Sequence, residues 1–137
     1  MEKLKKRYEV VVKTLETLKD AMNIINNLQP EEEKFYKGQR DSVVQRFEYS
    51  IDNFWKFLKI YLQEKDQIIT IGSPKDTLRE SLHANIITKE EFEKLVSCVR
   101  DRNLTSHTYN EPLAEEIVAN IPGYYNLMKK IIDRITI

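Results

Sequence analysis

Apolar residues recur at intervals of three and four along most of the chain, a spacing typical of helices with one buried face. The first segment carries them at Leu4, Tyr8, Val11, Leu15, Leu18, Met22 and Ile25. The second segment carries them at Val44, Phe47, Ile51, Phe54, Leu58 and Tyr61. These two seams predict two long helices, separated by Pro30 and the acidic run 31–33.

A shorter helix is predicted after the second seam. Ser73 and Asp76 have the spacing of a reciprocal capping pair, and Pro74 directly follows the cap. These signals predict a helix that runs through Leu82. We expect the three glycines and four prolines of the chain to lie, like this one, where helices end or begin.

Two more helices follow. Thr88 and Glu91 repeat the capping spacing and open a helix whose apolar face is Phe92, Leu95, Val96 and Val99. Asn110 or Glu111, followed by Pro112, starts the last helix. Its apolar face is formed by Leu113, Ile117, Ile121, Tyr124, Met128, Ile131 and Ile135.

The helices define the fold class. No segment alternates with period two over the length of a strand between turn signals, so no sheet is expected. Short connections favour antiparallel neighbours. The sequence therefore predicts an all-α protein, an antiparallel four-helix bundle with one additional short helix, in a single domain over residues 1–137.

Charge and targeting signals limit which partners and which cellular compartment are expected for the protein. Lysine plus arginine equals aspartate plus glutamate at 22 each, so any nucleic-acid binding must come from a local site. One cysteine excludes an internal disulfide and suits a reducing compartment. The basic start 1–7 has no apolar run behind it, and no apolar stretch approaches the ~20 residues of a membrane helix. We expect a cytoplasmic protein with no membrane contact.

Several kinds of site are excluded by what the chain lacks. His83, His107 and Cys98 have no zinc spacing, so neither a metal nor a cofactor is expected. The glycines are isolated and form no phosphate loop. Gly72-Ser73 resembles the Gly-Ser of nucleotidyltransferases, but no two aspartates lie two apart, so the chain is not itself such a transferase. Cys98 is interpreted as a small buried hydrophobe.

Candidate chemistry is concentrated in residues 102–109. Arg102 offers a permanent planar cation suited to phosphate, and His107 can take or give a proton near neutral pH. Together they suffice for phosphodiester cleavage without a metal. On a continuous helix they would point about 140° apart, at about 100° per residue. A helix break between them, or two copies facing each other across a dimer axis, would let them converge.

A structural interpretation of the same residues stays open. A cation and a histidine at a helix C-terminus interact favourably with its exposed carbonyls and dipole. Asn110 would then cap the next helix, and Tyr109 would be an ordinary half-buried aromatic. On the residues alone, this interpretation competes directly with the catalytic one.

The run Arg102-x4-His107-x-Tyr109 resembles the Arg-x4-His-x-Tyr motif of the HEPN superfamily, which consists of small helical domains. The run Gln39–Glu48 contains an Arg-Asp-Ser and an Arg-Phe-Glu, and Trp55-Lys56 follows it. This order is similar to the second helix of the nucleotidyltransferase substrate-binding branch. The likeness covers essentially the whole chain.

This resemblance implies roles for individual residues. Arg102 and His107 match the pair credited with ribonuclease activity in HEPN toxins, and Asn103 matches a polar position beside the arginine. Tyr109 matches the tyrosine that a partner, a minimal nucleotidyltransferase antitoxin encoded by a neighbouring gene, modifies with AMP. The resemblance also implies a homodimer that brings two motifs into one cleft and acts on RNA or a nucleotide.

Three supporting residues are predicted on the second helix. Glu48 lies at the edge of the apolar face, where a carboxylate needs a cation to offset its burial. That cation is Arg102, or alternatively Lys56 or Arg40 in a pair that only orders the helix. Arg40 and Arg46, with Lys37, either line a path for phosphate groups or form an ordinary solvated face.

Three functions follow from these observations. The first is a metal-independent endoribonuclease toxin silenced by AMP transfer. The second is a non-catalytic substrate-binding subunit of a nucleotidyltransferase. The third is a purely structural helical assembly protein whose motif has no chemical role.

Overall fold

The computed structural model describes residues 2–67, 72–107 and 110–135, with 106 and 107 described by their backbone only. Within these ranges the chain forms helices and connecting turns, and no strand. A short 3₁₀ segment covers Pro30–Phe35. The helices are α1 (Glu2–Asn26), α2 (Tyr36–Lys65), α3 (Pro74–His83), α4 (Lys89–His107) and α5 (Glu111–Arg134).

Cross-helix contacts establish the directions of the helices. Tyr8, near the start of α1, packs its ring against Phe57 in the second half of α2, with 5.7 Å between the ring centroids. Glu91, near the start of α4, bonds to Arg134 at the end of α5. Helices α1 and α2 are therefore antiparallel, as are α4 and α5, and α2 contacts every other helix. The predicted antiparallel bundle, with the short α3 in the connection between α2 and α4, is confirmed.

The predicted seams form the core. The following seam residues of α1, α2 and α5 are at most 2% exposed: Leu4, Val11, Leu15, Leu18, Phe47, Ile51, Phe54, Leu58, Ile117, Ile121, Met128 and Ile131. Val43, Phe57 and Leu62 are buried as well, although they lie outside the predicted seam of α2. Because α2 is surrounded by the other helices, it buries more of its circumference than one stripe.

All three predicted helix starts are present. The Ser73 hydroxyl accepts from the Asp76 backbone N–H at 3.1 Å, and the Asp76 carboxylate accepts from the Ser73 N–H at 3.3 Å. Thr88 and Glu91 make the same reciprocal pair at 3.1 and 2.9 Å. The Asn110 side chain accepts from the N–H of Leu113 and begins α5. These bonds satisfy backbone donors that a helix start otherwise leaves unpaired.

The expectation that every glycine and proline lies where a helix ends or begins is wrong at two positions. Pro122 and Gly123 lie inside α5, whereas Gly38 lies in the first turn of α2. Pro122 is exposed, so the bond that its missing N–H would make to the Val118 carbonyl is lost at the solvent side. Ile121, about 100° away around the same turn, is fully buried and packs this part of α5 into the core.

An ion pair ties the end of α5 to the start of α4. Arg134 donates to both carboxylate oxygens of Glu91 at 2.8 and 2.6 Å and to the Ile86 carbonyl at 2.7 Å. The hydrogen bonds from Arg134 and from the Thr88 N–H lower the pKa of Glu91 to about 2, although burial by itself raises that pKa. We call this contact the Glu91–Arg134 clamp.

Two further expectations can be compared with the described residues. Cys98 is fully buried, and burial raises the pKa of its thiol well above the usual value, which fits the interpretation of a small hydrophobe. Among the helices described here, none is both long and apolar enough to cross a lipid bilayer.

Candidate functional site

Helix α4 runs without interruption through Arg102 to His107. The helix break considered between these two residues is therefore absent. Threonine is a poor helix former, but Thr105 fits into this turn because its hydroxyl donates to the Arg102 carbonyl at 2.7 Å. On this continuous helix the backbone positions of the two residues lie about 140° apart around the helix axis.

The guanidinium of Arg102 is held by two carboxylates of α2. Its Nε and Nη2 donate to the two oxygens of Asp52 at 3.1 and 3.0 Å, a side-on bidentate pair. Its Nη1 donates to Glu48 Oε2 at 2.9 Å. The predicted contact between Glu48 and Arg102 is thus present, and the alternatives Lys56 and Arg40 do not take its place. We call Glu48, Asp52, Arg102 and Thr105 the Arg102 cluster.

The cluster is partly shielded from solvent. The side chains of Arg102 and Glu48 are 23% and 22% exposed, and that of Asp52 is 34% exposed. The hydrogen bonds to Asp52, with the nearby negative charge of Glu48, raise the pKa of Arg102 above its usual value. By formal charge, one cation faces two carboxylates, so a phosphate group must compete with them for the guanidinium.

Two members of the cluster were missed by the sequence interpretation. Asp52 lies four residues after Glu48 and so shares its helix face, which is a signal available in the sequence. The Thr105 hydroxyl shares its single proton between the Arg102 carbonyl and Glu48 Oε2, which lies 2.5 Å away, and so joins the end of α4 to α2. A hydroxyl at a helix end is too common to have identified this role.

Arg40 corrects the expectation of a solvated cationic face. Its side chain is 1% exposed, and its Nη1 donates to Glu111 Oε2 at 2.5 Å and to Glu115 Oε1 at 3.1 Å. The residue joins the start of α2 to the start of α5, in agreement with the rule that buried charges are paired. Its role in a phosphate path stays a prediction, one that this burial does not favour.

The remaining predicted site residues are Asn103, Arg46, His107 and Tyr109. Asn103 is exposed on that helix, and Arg46 is half-buried on α2. His107 is described by its backbone alone, as the last residue of α4. Tyr109 lies outside the described residues, so its role stays a prediction.

Comparison with known proteins gives a family and a fold. Residues 6–137 match the family model described as nucleotidyltransferase substrate binding protein like. A protein of Thermus thermophilus with a known crystal structure is 37% identical to this chain in sequence. The two structures have a TM-score of 0.76, over 90% of this chain and 97% of that chain. No significant match was found among curated proteins.

Two toxin–antitoxin structures have the same helical fold at lower identity. One is a mutant of the MntA-HpeT complex, at 18% identity and a TM-score of 0.68 over 91% of this chain and 95% of that chain. The other is a tri-AMPylated HEPN toxin of Shewanella oneidensis in complex with its MNT antitoxin. It is 18% identical, with a TM-score of 0.68 over 90% of this chain and 94% of that chain.

Proposed function

Since this chain belongs to the family of nucleotidyltransferase substrate-binding-like proteins and has the HEPN fold, we propose that it is the HEPN component of a pair with a minimal nucleotidyltransferase, acting as toxin and antitoxin in the cytoplasm. Support comes from the fold relatives whose structures are toxin–antitoxin complexes. A homodimer of this chain is the form in which we expect it to act.

The proposed activity is metal-independent cleavage of RNA. The observation that carries it is the anchoring of Arg102, whose planar donors are oriented by Asp52 and Glu48 before any substrate arrives. Preorganised charge is the main way in which a protein stabilises a transition state that builds negative charge on phosphorus. Arg102 has this role in the proposal, and His107, one and a half turns further along α4, moves the proton.

The chemical step is a displacement at phosphorus. The bond from phosphorus to the attacking hydroxyl oxygen forms as the bond to the leaving oxygen breaks. His107 takes the proton of the attacking hydroxyl, and the imidazolium so formed gives that proton to the leaving oxygen. Because Arg102 and His107 diverge on one helix, the pair that acts on one phosphate is proposed to come from two copies of the chain.

The proposed silencing of the toxin acts at the same site as the proposed cleavage of RNA. The toxin of Shewanella oneidensis is described as tri-AMPylated in complex with its antitoxin. In this chain the matching acceptor is Tyr109, two residues beyond His107. A phosphodiester attached there adds negative charge near Arg102 and competes with RNA phosphate for the guanidinium. In this proposal the attached AMP inhibits cleavage because it occupies the site and because its phosphodiester is negatively charged.

A second candidate function has separate support. The two carboxylates on Arg102 leave the cluster with more negative than positive formal charge, which disfavours RNA phosphate. The family to which the chain belongs is itself named for proteins like those that bind the substrate of a nucleotidyltransferase. A non-catalytic subunit that presents substrate or itself to the transferase is the alternative.

Growth assays with the partner separate these functions. The chain is expressed alone, together with its transferase, and as His107→Ala, with His83→Ala as a matched control at an exposed histidine. The toxin proposal expects growth arrest for the chain alone and for His83→Ala, and growth in the other two cases. Unimpaired growth throughout, with a stable complex, supports the binding subunit. Failure to form a complex with the transferase contradicts the pairing itself.

A further inference from the structure

A buried carboxylate on α4 adjoins the Arg102 cluster. Asp101 is 5% exposed and directly precedes Arg102 in the chain. Its Oδ2 accepts a hydrogen bond from the phenol of Tyr124 on α5 at 2.6 Å, and a longer one from Asn120 Nδ2 at 3.5 Å. The part of α4 that carries Arg102 is thus joined to α5 as well as to α2.

The same tyrosine also contacts α2. The Tyr124 ring stacks on that of Phe47, with 5.7 Å between the ring centroids and 20° between the ring planes. Phe47 is fully buried and directly precedes Glu48, which accepts from Arg102. The three helices are therefore linked in a closed ring of contacts: α4 to α5 through Asp101, α5 to α2 through Phe47, and α2 to α4 through Glu48.

This ring contains a buried charge that packing alone does not require. Among the described side chains, the buried charges are Arg40, Glu91 and Asp101. Arg40 and Glu91 are bonded to side chains of opposite charge, whereas the hydrogen bonds to Asp101 come from a phenol and an amide. The cation at ion-pair distance from Asp101 is the exposed Arg100, whose Nε lies 3.9 Å from Oδ1. An apolar residue would be buried here at lower cost.

The polar contact adds direction to the packing. Apolar surfaces can slide and rotate against each other, whereas a hydrogen bond fixes a distance and an angle. Because Asp101 and Arg102 lie about 100° apart around α4, a rotation of α4 that changes the first contact also moves the second. Burial and the bond to Asp101 raise the pKa of Tyr124 above its usual value, so the phenol keeps the proton that it donates.

We propose that Tyr124 is a positioning residue of the candidate site. Through its bond to Asp101 and its stack on Phe47, it sets the place of α4 relative to α2 and thereby the direction of the guanidinium in the Arg102 cluster. This role deepens the proposed function and rests on it, because an oriented arginine is what the proposed cleavage of RNA requires. The orientation itself is a property of the folded chain, so it is measured without RNA.

The first test compares two half-buried tyrosines that each pack against a phenylalanine of α2. Tyr124→Phe removes the hydroxyl that bonds to Asp101 and keeps the ring that stacks on Phe47. Tyr8→Phe is the matched control. The Tyr8 ring also lies 5.7 Å from its phenylalanine, and its hydroxyl makes no hydrogen bond within the described part of the chain.

The quantity measured is the exchange of the Arg102 Nε–H with water, since this group donates to Asp52 at 3.1 Å. Its NMR signal in isotope-labelled chain is assigned through Arg102→Lys. In Tyr124→Phe the Asp101 carboxylate loses the phenol and turns towards water, so this N–H should exchange several-fold faster. Tyr8→Phe should leave the exchange rate unchanged. Equal rates in the two variants overturn the proposal.

A double variant separates positioning from stability and covers the case in which Tyr124→Phe does not fold. Asp101→Leu combined with Tyr124→Phe replaces both polar partners by apolar groups of similar shape, a change that is commonly neutral or stabilising. This variant should unfold at the same urea concentration as the unchanged chain or a higher one, yet show fast exchange at Arg102. Slow exchange in the folded double variant contradicts the proposal. A clearly lower urea midpoint also contradicts it, because stability alone would then explain the polar pair.

A conservative variant and the reaction itself complete the test. Asp101→Asn keeps an oxygen that accepts from the Tyr124 hydroxyl, so exchange at Arg102 should stay slow. In RNA cleavage, Tyr124→Phe should lower kcat about 10- to 100-fold and leave KM unchanged. Cleavage by Tyr124→Phe at the unchanged rate contradicts a positioning role in the reaction. If the unchanged chain cleaves no RNA, the proposed activity fails, and exchange at Arg102 still decides whether Tyr124 orients it.

Discussion

Arg102 and Asp52 form a side-on pair in which two guanidinium nitrogens, Nε and Nη2, donate to the two oxygens of one carboxylate. The direction of the arginine is thereby set by α2 as well as by its own helix. A bidentate pair restricts rotation of the guanidinium plane in a way that a single contact does not. Asp52 is a positioning residue in the proposed reaction.

Asp52→Asn tests this role, since the amide keeps the shape of the side chain and loses its charge. We expect RNA cleavage to fall about 10- to 100-fold, because a poorly oriented group loses most of its effect. The free energy of unfolding should change by about 1 kcal/mol or less, as for other partly exposed pairs. Cleavage rates and urea titrations measure the two effects. Asp20→Asn, at an exposed position of α1, is the control, and equal cleavage by both variants would exclude the role.

His107→Ala should abolish cleavage while the bundle stays folded. Loss of a general acid–base group lowers a rate by about 10²–10⁴-fold. EDTA should leave the rate of the unchanged chain as it is, because Arg102 and His107 supply the charge and the proton transfer. The exposed His83, changed to alanine, controls for loss of an imidazole elsewhere. Cleavage that survives in His107→Ala refutes the assignment.

A site shared by two copies predicts complementation. Arg102→Lys keeps the charge but loses the planar fork, so this variant should be inactive alone, as should His107→Ala. Mixed dimers of the two variants contain one intact pair, with Arg102 from one copy and His107 from the other. Cleavage should therefore return on mixing after the variants exchange subunits, and analytical ultracentrifugation should give a dimeric mass at micromolar concentration. A monomeric mass, or no recovery in verified mixed dimers, contradicts the shared site.

Modification by the partner should occur at Tyr109. The chain contains seven tyrosines, so the site must be located and not only detected. After incubation with transferase, ATP and magnesium, peptide mass spectrometry should find AMP on the peptide that contains Tyr109. Tyr109→Phe should stay unmodified and active, whereas Tyr49→Phe, which removes an exposed phenol on α2, should still be modified and silenced. AMP found solely on another residue would end this proposal.

The Glu91–Arg134 clamp predicts a pH dependence of stability. The pKa of Glu91 is lowered from its ordinary value of 4.5 to about 2 in the folded chain. A lowered pKa stabilises the folded state fully above the ordinary value, and this contribution is lost as the pH falls from about 4.5 towards about 2. Glu91→Gln should reduce the free energy of unfolding at pH 7 by on the order of 2 kcal/mol, and the difference should shrink towards pH 2. The neighbouring exposed Glu90→Gln should show a much smaller effect in the same denaturant titrations.

The fold was predictable from the sequence because helix periodicity and caps are local signals. Ser73 with Asp76 and Thr88 with Glu91 lie three residues apart, and their bonds form as the spacing predicts. The interior position of Pro122 was not predictable in the same way. Packing of its neighbours outweighs the lost hydrogen bond, and packing is not visible in a local pattern.

The site was predictable only in part for the same reason. The need of Glu48 for a cation followed from its place at the edge of an apolar face, but the sequence left Arg102, Lys56 and Arg40 open as the partner. Arg40 and Glu111 are 71 residues apart, and which of many carboxylates meets a buried guanidinium depends on the assembled bundle. The sequence also left a helix break open between Arg102 and His107, since threonine and asparagine occur at helix ends as readily as within helices.

Helix α4 is a rigid rod of 19 residues, about 27 Å long, held at its first turn by the Glu91–Arg134 clamp. The clamp therefore fixes one end of the helix, while Arg102 and Thr105 fix its other end against α2. A tilt of about 5° about the first turn would move the backbone at His107 by about 2 Å. Displacements of about 1 Å can reduce a rate 10²-fold, so in the proposed reaction these two anchors together set the place of His107.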